Sequence, residues 1–161
     1  MLIRYHPMKR TYKKNRGLAE RQLRKRLEDA GWLVWRGGFI HAPDFDDLYP
    51  NVERKYTMLK RLLAVHHPGR YDDLCYFSRI QKGMPDFLCY RGEFIFVECK
   101  FLHEQLSSRQ KKCLPRLQQL GFTVEVHKLV DHRTKTRRVW YDIETGKKKI
   151  IEKQCRLRLK W

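Results

Sequence analysis

A chain of 161 residues can bury one core and is short for two, so a single domain is expected. Hydrophobic residues at 42% and aromatic residues at 12% exclude a wholly disordered basic tail. The formal charge of +18, from 36 Lys and Arg against 18 Asp and Glu, would repel itself in the folded state without a polyanion to offset it, and nucleic acid is the commonest such partner.

The charge is unevenly spread. Residues 1–36 carry net +8, residues 37–99 net −1 and residues 100–161 net +11. A near-neutral middle between two basic ends suits an enzyme that grips phosphates around a carboxylate cluster. Five cysteines (Cys75, Cys89, Cys99, Cys113, Cys155) form no C-x-x-C pair, which points to reduced thiols rather than zinc or disulfides. Met1-Leu2-Ile3-Arg4 opens no apolar run of signal-peptide length, and no run approaches a membrane span. An intracellular, cytoplasmic protein with no membrane partner is expected, in the host cytoplasm if the source is viral.

In chain order, residues 1–16 are basic and aromatic without a clear period and read as an arm. Leu18–Ala30 predicts a helix with Leu23, Leu27 and Ala30 on one stripe, stopped by Gly31. Trp32–Trp35 predicts a short strand closed by Gly37-Gly38. Residues 41–82 change character, with a Pro/Asp-rich stretch, a helical pattern over Val52–Val65 and a break at His67-Pro68-Gly69, and read as an insertion or cap.

Phe87–Tyr90 and Phe94–Lys100 flank the turn Arg91-Gly92-Glu93 and predict a hairpin. Ser107-x-x-Gln110 has capping-box spacing ahead of a helix bearing Leu114, Leu117 and Leu120, with Gly121 as its stop. Pro115 conflicts with that helix and should kink it or mark a second start. Phe122–Val126 alternates as a half-buried strand, Val139–Ile143 and Lys148–Ile151 predict another hairpin, and Arg156–Lys160 reads as an edge strand facing phosphate. Helix, strands, helix, strand implies an α/β layer with a mixed central sheet.

The chemistry concentrates in Pro85-Asp86 followed by Glu98-Cys99-Lys100. Alternate residues of a strand share a face, so Glu98 and Lys100 point the same way. Asp86 opens the neighbouring strand and can bring a second carboxylate beside Glu98, where like charges repel unless a cation is present. Hard oxygen ligands suit Mg²⁺, with Mn²⁺ able to substitute. Phe94-Ile95-Phe96-Val97 is apolar on both faces, the pattern of a buried central strand, so polar groups at its end call for more than ordinary solvation.

These residues resemble a known family. Gly83-Met84-Pro85-Asp86 followed by Glu98-Cys99-Lys100 resembles the PD-(D/E)XK nuclease motif, and Leu106-Ser107-x-x-Gln110 with Leu117 and Gly121-Phe122-Thr123-Val124 is similar to the virus-type replication-repair nuclease (VRR-NUC) branch. Arg16-Gly17-x-x-Glu20 with Leu23, Leu27 and Gly31-Trp32 resembles the opening of archaeal Holliday-junction resolvases. The resemblance implies a restriction-endonuclease-like core, here with an inserted helical segment and a C-terminal hairpin extension.

It further implies Asp86, Glu98 and the backbone carbonyl of Cys99 as metal ligands, Lys100 acting on the attacking water, and Glu20 as an added carboxylate. Glu20 also lies three and seven residues before Leu23 and Leu27, on the inward stripe of its helix, with a first-turn acid as the plainer reading. Gln110 shares a face with Leu117, where capping is at least as good a reading as catalysis. Candidate phosphate contacts are Lys13, Lys14 and Arg16 of the arm, Arg36 after the first strand, and Arg109, Lys111 and Lys112 of the second helix. None of the scattered histidines is assigned to catalysis.

The expected activity is Mg²⁺-dependent endonucleolytic hydrolysis of structured DNA, such as junctions, flaps and intermediates of replication, repair and recombination. A homodimer suits paired cuts. The alternative is a non-catalytic nucleic-acid-binding protein derived from a nuclease fold.

Overall fold

A computed structural model describes residues 1–8, 17–134 and 137–153. Among the described residues seven strands form one mixed sheet: β1 (Leu2–Pro7), β2 (Leu33–Arg36), β3 (Phe87–Tyr90), β4 (Phe94–Phe101), β5 (Thr123–Val130), β6 (Arg137–Tyr141) and β7 (Lys148–Lys153), in the order β2-β3-β4-β5-β1-β6-β7. β4, β5 and β1 run parallel, and the remaining neighbours pair antiparallel. The helices are α1 (Leu18–Asp29), α2 (Pro50–His66), α3 (Tyr71–Tyr76) and α4 (Ser108–Gln119).

α1 covers one face. It buries Ala19, Leu23 and Leu27 against Val34, Phe87, Cys89, Ile95, Val97 and Cys99. Each leucine so buried contributes roughly 1.5–3 kcal/mol. Helices α2, α3 and α4 cover the other face, where Leu59, Leu63, Leu74, Leu114 and Leu117 meet Trp35, Leu88, Phe96 and Val124. β4 therefore has apolar neighbours on both sides and carries its polar residues only near its end. The predicted helix over residues 52–65 is α2, and it packs into the core. Glycines stop the helices as the sequence predicts, with Gly31 and Gly121 at φ 84° and 93°.

Three expectations need correction. The basic arm over residues 1–16 fails for its first half: Leu2–Pro7 form an interior strand between β5 and β6. Ile3 and Tyr5 are buried on one face, while Arg4 gives a bidentate hydrogen bond to Glu125 on the other. Pro115 does not mark a second start, because α4 runs through it as one element with Cys113, Leu114 and Leu117 buried. The strand predicted over residues 122–126 extends to Val130, since Glu125 and His127 are buried polar residues that satisfy each other, with His127 donating through Nε2 to the Glu125 carboxylate at 2.8 Å. Cys75, Cys89, Cys99 and Cys113 are buried free thiols. The predicted edge strand over residues 156–160 lies outside the described residues, as does Cys155.

Candidate active site

The site forms where β3 and β4 end. The antiparallel register pairs Phe87 with Val97, which sets Asp86 across from Glu98, one step beyond the last paired residues. Two glycines deliver Asp86 there. Gly83 has φ 88°, and a Cβ on it would lie 2.7 Å from the Arg109 backbone carbon, so the loop presses directly on the first turn of α4. A Cβ on Gly37 would meet the Pro85 carbonyl oxygen at 2.1 Å, and Gly37 N–H donates to the Asp86 carbonyl at 3.0 Å. The short turn after β2 thus clamps the Pro85-Asp86 backbone.

Asp86 Oδ2 accepts the Cys99 N–H at 2.8 Å. Within a strand, a residue's N–H and C=O point to the same side, so the Cys99 carbonyl shares the edge that Asp86 occupies. Glu98 is 1% exposed. Its Oε1 accepts from Lys100 Nζ at 2.7 Å and from Gln110 Nε2, while Oε2 is buried with no hydrogen-bond partner among the described residues. Gln110 takes the capping role weighed from the sequence and also contacts the Glu98–Lys100 pair. It completes the capping box with Ser107, and its Oε1 also accepts from Lys100 Nζ at 3.0 Å.

The electrostatics oppose two free carboxylates. Burial, then the charge of Asp86, pushes the Glu98 carboxyl up to about 7, against the opposing pull of Lys100. Asp86 is raised as well, by burial first and with Glu20 contributing, although the Cys99 N–H stabilises its anion. A buried pair of this kind is satisfied by a proton or by a cation.

Glu20 reaches the site from the other layer. It lies in the first turn of α1, half-buried, and lines a cavity of about 330 Å³ together with Arg21, Arg24, Arg36 and Asp86. Glu98 and Lys100 face α4 instead, so Asp86 links the two halves. Of the predicted phosphate contacts, Arg36 lines this cavity and Arg109, Lys111 and Lys112 are exposed on the first turns of α4. Lys13, Lys14 and Arg16 lie outside the described residues. Arg21 and Arg24 escaped the sequence reading, although Arg24, four residues after Glu20 on a helix, shares its face.

No curated protein and no solved structure matches the chain. The model of the VRR-NUC domain matches residues 48–130, a span that takes in α2, α3, both site strands and α4, and leaves α1 with Glu20 outside. Among the described residues no helix is long and apolar enough to cross a membrane. With the mixed sheet, the Asp86, Glu98 and Lys100 constellation at its strand ends and a match over half its length, the chain belongs to the VRR-NUC domain family of PD-(D/E)XK-like nucleases.

Proposed function

We propose that the protein is a Mg²⁺-dependent endonuclease that hydrolyses phosphodiester bonds in structured DNA, such as junctions, flaps and intermediates of replication, repair and recombination. The observation that supports this reading is Glu98. Its carboxyl is buried, one oxygen has no partner among the described residues, and Asp86 opposes its charge. A group so placed costs stability unless it binds something.

The donor set fits a hard divalent cation. Asp86, Glu98 Oε2 and the Cys99 carbonyl would hold it, with Glu20 adding a carboxylate from α1. Among the described residues no three His, Cys, Asp or Glu side chains form a metal cage by themselves, so main-chain, water and phosphate oxygens would complete the shell, as is usual for Mg²⁺. Bound there, Mg²⁺ or Mn²⁺ supplies an activated water and neutralises charge developing on phosphate. Lys100 Nζ bridges Glu98 Oε1 and Gln110 Oε1, which fixes the ammonium where it can orient that water or stabilise the phosphorane oxygens. Gln110 ties this pair to the α4 N-terminus.

A binding protein without cleavage would need the positive surface alone and leaves the buried Asp86 and Glu98 unexplained. The test uses purified protein and Glu98→Ala with labelled duplex, single-stranded, flap and four-way-junction DNA, in Mg²⁺, Mn²⁺ or EDTA. Cleavage that needs metal and disappears in the variant, with DNA binding retained, supports the enzyme and names its substrate. Binding by both proteins and cutting by neither would transfer the case to the non-catalytic reading.

A further inference from the structure

On the α4 face a row of cationic and aromatic side chains crosses the sheet at right angles to the strands. Lys100 of β4 is the register partner of Lys128 of β5, Lys128 of Tyr5 in β1, and Tyr5 of Arg137 in β6. Two positions earlier on β5 and β1, and two later on β6, stand Val126, Ile3 and Val139, in the same apolar cluster as Leu114 of α4. This fixes which face the row occupies.

The row is electrostatically incomplete. Like charges directly opposite across a ladder are destabilising. Lys128 is nevertheless only 8% exposed. Burial, then Lys148, Lys100 and Arg137, depresses that amine against the opposing pull of Glu104. Arg137 lies 4.3 Å above the Tyr5 ring with its Nε buried and unpartnered among the described residues.

Between the row and α4 is a cavity of about 100 Å³, lined among others by Lys100, Lys111, Lys128, Lys148, Tyr141 and one carboxylate, Glu104. Lysines from β4, α4, β5 and β7 therefore converge on one small space. Lys100, Lys128 and Tyr5 of the row lie within two residues of the carboxyl ends of β4, β5 and β1, the end of the parallel strands where open α/β sheets place their ligands.

We propose that this cavity is a second phosphate site, which takes a backbone phosphate neighbouring the one at Glu98 and Lys100, and that the row leads the strand on across β5 and β1 to Arg137. The identity of the polyanion as DNA rests on the nuclease reading; the phosphate chemistry does not. Adjacent strands are about 4.8 Å apart, so the row spans about 14 Å, room for several consecutive phosphates. The cavity is small and its lysines are point charges without a fork, features that suit one tetrahedral oxyanion better than a base. The β6–β7 hairpin, beyond the matched span, supplies Tyr141 and Lys148 and so becomes part of the substrate-binding surface.

The test measures binding of a fluorescent single strand and of the matching duplex in EDTA, by anisotropy over a range of salt. Wild type is compared with Lys128→Gln, with Lys148→Gln at an exposed position, and with Lys25→Gln on the outer side of α1 as the control. Each of the first two should weaken binding about tenfold and lower the slope of log affinity against log salt by about 0.7 for the single strand and about 0.9 for the duplex. Lys25→Gln should change neither. Unaltered affinity and slope in Lys148→Gln, or in a folded Lys128→Gln, overturns the subsite whether or not the wild type cuts DNA. If the lysine variants behave as expected but the wild type cleaves nothing in Mg²⁺ or Mn²⁺, the nuclease reading fails and the phosphate track stands.

Discussion

Replacing Glu98 by glutamine removes a proton equilibrium on which the site depends while keeping the shape of the side chain. Burial and the Asp86 charge hold the Glu98 carboxyl at about 7, above its ordinary 4.5. A carboxyl whose folded pKa lies above its unfolded one binds its proton more tightly when folded. Stability is then complete below the unfolded value and is lost as pH rises through the folded value. The gap between 4.5 and about 7 corresponds to about 3 kcal/mol. The amide in the variant has no such proton to lose. In EDTA, the stability of Glu98→Gln relative to wild type should therefore grow by about 2–3 kcal/mol between about pH 5 and about pH 8.5. Denaturant unfolding can be followed through the fluorescence of buried Trp35. Millimolar Mg²⁺ at the higher pH should return much of the deficit to the wild type and little to the variant, since only a ligand of the folded state stabilises it. Parallel pH profiles for the two proteins would refute the claim that Glu98 ionises against its surroundings.

Gln110→Ala removes a cap and the brace on Glu98 and Lys100 together, so it should cost about 1 kcal/mol in unfolding experiments and lower kcat at least tenfold while DNA binding changes little. Gly37→Ala forces a methyl into the Pro85 carbonyl, and a fall in stability of about 2 kcal/mol or more, read from the denaturation midpoint, is expected. Burial alone would raise the Glu125 carboxyl, but hydrogen bonds from His127 and Arg4 hold it down at about 2. Its contribution is thus present above pH 4.5 and lost as pH falls toward 2, so acid titration of wild type should show up to about 3 kcal/mol of loss that Glu125→Gln does not repeat.

Local pattern determined a large part of this protein. The leucine spacing of α1 and α4, their glycine stops, the capping box at Ser107 and the β3–β4 hairpin are short-range features, set by propensity and period within about a dozen residues. The same alternation put Glu98 and Lys100 on one face. Where strands pair is a different matter, because pairing partners are far apart in sequence and period alone does not name them. Leu2–Pro7 alternates apolar and polar residues as clearly as β5 does, but Arg4 and His6 read as a basic arm until β5 supplies Glu125 and His127 opposite them. Asp86 could be assigned to the site from its motif, yet its position across from Glu98 and beside Glu20 required the hairpin register and the docking of α1. Lys128 and Arg137 carry no signal of their own in the sequence. Only the sheet, by setting four strands side by side in one register, turns Lys100, Lys128, Tyr5 and Arg137 into a row.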